Sequence, residues 1–189
     1  MKRVVVAVTG ASGQIYAKSI IDKLAKLSES GEVDFEVIFS IPAKGVWKEE
    51  TGLDVPKSDE CSYIVNNYDF GNRNASGSNC SDSMIIIPCS MGTIGRLAAG
   101  TSDTLILRAA DVMLKERKKL IIVPRESPFS LIHLRNMTTL TEAGAIIAPA
   151  SPGFYQKPAG LEQMVDIFTD KILDIAGVDS IKKSDRWGD

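Results

Sequence analysis

The sequence predicts an α/β protein, a three-layer α/β/α sandwich built on a mostly parallel sheet. Two observations carry this. Apolar, β-branched runs recur at residues 3–8, 34–39, 84–87, 120–123 and 145–148, separated by helical patterns at 16–27, 102–117, 130–143 and 161–175. The runs are also uniformly apolar instead of alternating, so each strand must be covered on both faces, as in a parallel sheet with helices on either side.

Taken in order, the first run follows Lys2 and Arg3, like the charged start of a secretion signal. Its apolar stretch stops at Val8 and enters the loop Thr9-Gly10-Ala11-Ser12-Gly13, so it reads as a strand. The helical pattern 16–27 and the run 34–39 complete a first strand, helix and strand unit, and the second run ends at Ser40. Around 58–83, and most clearly in NNYDFGNRNASGSNCSDS from Asn66 to Ser83, the chain is rich in Asn, Ser and Gly and has no period. It is expected to be an irregular connection, long enough for a functional lid or an interface arm. The third run ends in Pro88-Cys89-Ser90-Met91-Gly92-Thr93, where a helix is expected to start. The remaining two strands and three helices follow without interruption. The tail KKSDRWGD is polar except for Trp187, a side chain suited to folding back or docking on a neighbouring subunit.

The 189 residues, 44% hydrophobic, fit one domain spanning the chain. With 22 basic and 24 acidic side chains the net charge is -2, which argues against nucleic acid or an anionic membrane as partner. No segment approaches the roughly 18 continuous apolar residues of a membrane span, so a soluble, cytoplasmic protein is expected. Cys61, Cys80 and Cys89 are widely spaced and lack a CxxC pair, which fits reduced thiols better than disulfides or a zinc site.

In such a sheet ligands sit beyond the carboxyl ends of the strands, near the switch point of the strand order. The candidate site is therefore made of residues 9–13, 40–44, 88–93, 124–127 and 149–155. Gly10, Ala11 and Ser12 lie between a strand and a helix start, where free backbone N–H groups and a helix dipole suit a phosphate. The spacing is not the dinucleotide GxGxxG. Ser90, Met91, Gly92 and Thr93 repeat the design at a second strand end, and two such loops can hold two parts of one ligand, as FMN requires. Cys89 reads as a small buried thiol, and the lone His133, among Leu131, Leu134 and Met137, as structural.

Arg108, Asp111, Lys115 and Glu116 fall at helical spacing, consistent with surface ion pairs. Arg108 is flanked by Leu105, Ile106, Leu107, Ala109 and Ala110, and a charge in that setting needs a partner or an anion. Arg125 and Glu126 directly follow a buried-looking strand, an acid and a base placed to bind phosphate and manage a proton.

Together, TGASGxxYA, PCSMGT, LRAADVMLKER, PRESPxSxIHLxNM and PxxPxFYxxP, in this order over nearly the whole chain, resemble the UbiX-type flavin prenyltransferases. The resemblance implies a Rossmann-like, flavodoxin-like fold and a transferase that joins a dimethylallyl group from dimethylallyl monophosphate to reduced FMN, at N5 and then C6. It implies that the prenylated FMN passes to a UbiD-type decarboxylase, that no metal is required, and that the protein forms a homo-oligomer, typically a dodecamer with sites at subunit junctions. It places FMN on Gly10, Ala11, Ser12, Ser40, Ser90, Met91, Gly92, Thr93, Arg108 and Arg125. The prenyl phosphate falls on Lys115, Arg125, Glu126, Tyr155 and Lys171, with Ser12 and Glu50 beside the reacting flavin. Lys171 stands where many members carry arginine, which keeps the charge and loses the two-pronged contact.

These residue types suit the reaction, because breaking an allylic C–O bond leaves positive charge on carbon and negative charge on phosphate. Trp47 or Trp187 could shelter the cation together with the flavin, and Glu126, Glu50 or the released phosphate could take the C6 proton. The rival readings are an FMN-dependent decarboxylase of the cysteine decarboxylase class, a non-catalytic FMN carrier and an NAD(P)-dependent reductase. The first relies on a histidine base, for which only His133 is present.

Overall fold

The computed structural model describes residues 1–178. Six strands, β1 (Lys2–Val8), β2 (Val33–Phe39), β3 (Ile64–Val65), β4 (Ser83–Cys89), β5 (Lys119–Pro124) and β6 (Ile146–Ile147), form one sheet in the order β3-β2-β1-β4-β5-β6. Every neighbouring pair is parallel. Six helices accompany them: α1 (Gln14–Glu29), α2 (Ile41–Thr51), α3 (Met91–Ala98), α4 (Leu105–Lys115), α5 (Leu131–Glu142) and α6 (Leu161–Ala176).

The apolar runs of β1, β4 and β5 are explained by two cores, one on each sheet face, whereas β2 carries Asp34 and Glu36 at half-buried positions. Val4, Val6 and Val8 of β1 face Ile20 and Leu24 of α1 and Phe168 and Ile172 of α6. Val5 and Ala7 of the same strand face the opposite core, which contains Ile94 of α3, Leu107 and Met113 of α4 and Leu140 of α5. The period-2 geometry of a strand sends successive residues to opposite layers, so a strand between two layers must be apolar throughout. The strand order reverses between β1 and β4, and the crevice beyond their carboxyl ends is the switch point.

Three elements differ from the sequence reading. Helix α2 follows Ser40 although its first turn contains Pro42 and its middle Gly45; Pro42 sits where a helix needs no N–H, and the Ser40 hydroxyl accepts the Ala43 N–H. Helix α4 begins three residues later than the expected start at Ser102, at the Thr104 cap. The stretch around 58–83 contains β3 and a single 3-10 turn (Arg73–Ala75).

That stretch is also more tightly held than an irregular connection implies. Asn74 is fully buried, donating to Glu36 at 2.5 Å and to Asn72 at 3.0 Å, and accepting the backbone N–H and hydroxyl of Ser81 at 3.1 and 2.8 Å. Arg73 pairs with Asp34 at 2.7 Å and Glu36 at 3.3 Å on β2. Asn67 accepts the first N–H groups of α4, from Leu105 to its carbonyl at 2.7 Å and from Ile106 to its side chain at 3.0 Å. Among the described residues no helix is long and apolar enough to cross a membrane.

Candidate active site

The loops after β1, β2 and β4 each lead into a helix, so three helix N-termini converge at the switch-point crevice. Thr9 ties two of the strand ends together: its hydroxyl donates to the Pro88 carbonyl at 2.8 Å and accepts the Ser90 N–H at 2.8 Å. Ser40 donates its N–H to the Val8 carbonyl at 2.9 Å and caps α2. Ser90 caps α3, accepting the Thr93 N–H at 3.3 Å, with the two hydroxyls 3.0 Å apart. Gly10 permits the closest approach in the site, because a Cβ there would lie 2.6 Å from Pro42 Cβ.

The N-terminus of α1 carries its own anion. Glu50, from the last turn of α2, accepts the N–H groups of Gly13 at 2.9 Å and Gln14 at 2.8 Å through one carboxylate oxygen. Burial pushes the Glu50 carboxyl up, but the Ser12 hydroxyl, the Gln14 and Gly13 N–H groups and the charge of Arg125 outweigh it and leave it below the usual carboxylate range. Arg125 closes the group, its Nε donating to the Ser12 carbonyl at 3.0 Å and its N–H to the Cys89 carbonyl at 3.4 Å. The N–H groups at the start of α1, those of Gly13 and Gln14, are thus already used by a protein carboxylate. Among the described residues no carboxylate accepts from the α3 N-terminus, and a Cβ at Gly92 on its first turn would face open space.

The structure brings Gly10, Ala11, Ser12, Ser40, Glu50, Ser90, Met91, Gly92, Thr93 and Arg125 to this edge. Glu126 follows Arg125 there, its carboxylate accepting the Ser127 N–H at 3.0 Å, and the exposed Tyr155 lies in the connection that leaves β6 at the same edge. It does not bring Arg108, Lys115 or Lys171 to the same place within one chain. Arg108 is the fourth residue of α4, in its first turn, donating to the Ala75 carbonyl at 3.0 Å and to Asp111 at 2.9 Å, which supplies the partner its apolar surroundings demand. Lys115 ends α4 at the opposite, amino-terminal edge of the sheet and pairs with Glu116. Lys171 is on the second half of α6, 3.8 Å from Asp174.

Trp47 belongs to the core, edge-on to Phe39 with ring centroids 5.2 Å apart, and so does not line the site. Trp187 lies outside the described residues. Cys89 is fully buried, and that burial pushes its thiol up, away from thiolate chemistry. His133 has a structural partner: it accepts the Ser130 N–H at 3.2 Å while the Ser130 hydroxyl accepts the His133 N–H at 3.2 Å, a capping box at the start of α5. Among the described residues no group of three or more His, Cys, Asp or Glu is placed to hold a metal ion.

Two residues escaped the sequence reading. Thr9 was visible only as the first member of a loop. Gln14 had a signal, since it shares the inner face of α1 with Ala17, Ile21 and Leu24, and a polar side chain in a core register requires an internal partner.

Comparison with known proteins agrees with this architecture. The Flavoprotein family model matches residues 1–177. The flavin prenyltransferase UbiX of Thermoplasma acidophilum is 46% identical over 188 residues, covering 98% of this chain and 99% of that protein. The solved structure of AnUbiX (PadA1) in complex with FMN and dimethylallyl pyrophosphate superposes with a TM-score of 0.90 at 37% identity, covering 100% of this chain and 98% of that one. A dodecameric FMN-dependent UbiX-like decarboxylase from Escherichia coli O157:H7 gives a TM-score of 0.89 at 34% identity, covering 99% and 100%. With its flavodoxin-like parallel sheet and its sequence likeness over nearly the full length, the chain belongs to the UbiX-type flavin prenyltransferases, transferases within the flavoprotein family.

Proposed function

We propose that the protein transfers the dimethylallyl group of dimethylallyl monophosphate to reduced FMN, first at N5 and then at C6, and that the prenylated flavin is handed to a UbiD-type decarboxylase. One observation carries the reading: Ser12, Glu50 and Arg125 are bonded into one cluster beside two serine-capped helix N-termini, so a flavin and a second phosphate have separate places to bind.

The flavin phosphate is assigned to Ser90, Met91, Gly92 and Thr93, with Ser40 alongside, because the α1 N-terminus is neutralised by Glu50. The ring edge is assigned to Gly10, Ala11 and Ser12. Arg125, Glu126 and Tyr155 then face the prenyl phosphate, where the guanidinium stabilises the charge that develops on the leaving group. Arg125 spends Nε on the Ser12 carbonyl, which aims the rest of its planar fork.

The depressed carboxyl of Glu50 makes it a weak base, suited to orienting the Ser12 hydroxyl. Glu126, whose carboxylate accepts the Ser127 N–H at 3.0 Å, is therefore assigned the C6 proton. Arg108, Lys115 and Lys171 are assigned to sites completed by neighbouring copies in a homo-oligomer, as the dodecameric Escherichia coli relative supports. Anaerobic incubation with reduced FMN and dimethylallyl monophosphate, followed by weighing the extracted flavin, tests the reading: a gain of one dimethylallyl unit is expected, and an unchanged mass with FMN bound refutes it.

A further inference from the structure

We propose that Gln14 is a positioning residue for flavin binding, one that turns the 9–13 loop so that its backbone donors face the ligand; this rests on FMN occupying that loop. Gln14 is completely buried. Its amide nitrogen donates to two carbonyls of the loop, Thr9 at 2.9 Å and Ala11 at 2.7 Å. Both partners are acceptors, so the amide can adopt only one orientation, with nitrogen toward the loop. That orientation leaves Oε1 buried with no hydrogen-bond partner among the described residues. A buried orphan oxygen is unfavourable, and the fold accepts it to keep the loop carbonyls turned inward.

The consequence lies on the other side of the loop. Thr9 and Gly13 spend their N–H groups on Pro88 and Glu50, while those of Gly10, Ala11 and Ser12 take part in no hydrogen bond among the described residues. Three successive donors are thus left for acceptors on a ligand. The same glutamine acts on the second loop through Thr9, since the residue whose carbonyl it holds gives its hydroxyl to the Ser90 N–H. Gln14 in this way sets the loop that meets the flavin ring and braces the one that meets the phosphate.

Gln14→Met and Gln14→Glu keep the size of the side chain and remove the paired donors. For each, the thermal melt, the FMN dissociation constant and the absorption envelope of bound oxidised FMN are measured at pH 8 and pH 5. We expect Gln14→Met to fold, to bind FMN at least tenfold more weakly and to shift the flavin bands. Gln14→Glu should bind more weakly still at pH 8, where an acceptor-only carboxylate faces two carbonyls, and recover toward Gln14→Met at pH 5 as its carboxyl regains a donor. Wild-type affinity and bands in Gln14→Met would overturn the proposal, as would wild-type affinity at pH 8 in Gln14→Glu. Failure of both variants to fold would also overturn it, by making Gln14 a folding residue. If the wild-type protein itself binds no FMN, the functional reading fails instead.

Discussion

Glu50 Oε2 lies 2.8 Å from the backbone nitrogen of Gln14, so the last turn of α2 caps the first turn of α1. The contact joins residues 36 apart in the sequence, and it gives the α1 dipole a counter-charge near neutral pH. It also places a carboxylate against Ser12 and within the field of Arg125.

Glu50→Ala is expected to destabilise the protein by at most about 1 kcal/mol near neutral pH, since the carboxylate is partly exposed and screened. The sign of the pH dependence follows from the lowered carboxyl. Its stabilisation is present above the ordinary carboxylate range and disappears as pH falls through the folded-state value. Denaturant titrations should therefore separate wild type from variant at pH 7 and superimpose them in strong acid.

Gly10→Ala should disrupt the site more than its size suggests. The added methyl would meet Pro42 Cβ at 2.6 Å, so the loop after β1 and the start of α2 must separate. We expect a loss of about 1–3 kcal/mol in stability and at least tenfold weaker FMN binding, read by denaturation and by flavin fluorescence titration.

Asn74→Ala leaves the Ser81 N–H and hydroxyl without their shared acceptor in a fully buried position. A cost of about 2–3 kcal/mol is expected for these orphaned groups. Limited proteolysis should then cut between residues 66 and 83 faster than in the wild-type protein, where Asn74 and Arg73 tie the segment to Ser81 and β2.

How much of this was legible in the sequence depends on the range of the interaction. The long strands were readable because burial on both faces demands unbroken apolar runs, whereas Ile64–Val65 is too short to show any period. Helix α2 was hidden by Pro42 and Gly45, residues that usually break helices and that here occupy a first turn and an exposed face. The segment from Asn66 to Ser83 looked irregular because side-chain amides, not backbone periodicity, hold it. At the site, the glycine and hydroxyl loops were readable from strand-to-helix turn chemistry. The meeting of Glu50 with Gly13 and Gln14 was not, since the residues lie on different helices and only the tertiary fold joins them.

Glu126→Gln keeps the shape of the side chain and removes its basicity. We expect FMN binding within twofold of wild type and a fall in the prenylation rate of about 100-fold, the usual scale for losing one general base. A variant that prenylates at the wild-type rate would move the proton-accepting role to the released phosphate.

The most direct measurement of the central claim is the ratio of inorganic phosphate released to prenylated flavin formed, with the enzyme, reduced FMN and dimethylallyl monophosphate held anaerobic. Transfer from the monophosphate to the flavin requires a ratio of one, with the flavin mass raised by one dimethylallyl unit. Phosphate release without any change in the bound flavin, or no release at all, would contradict it.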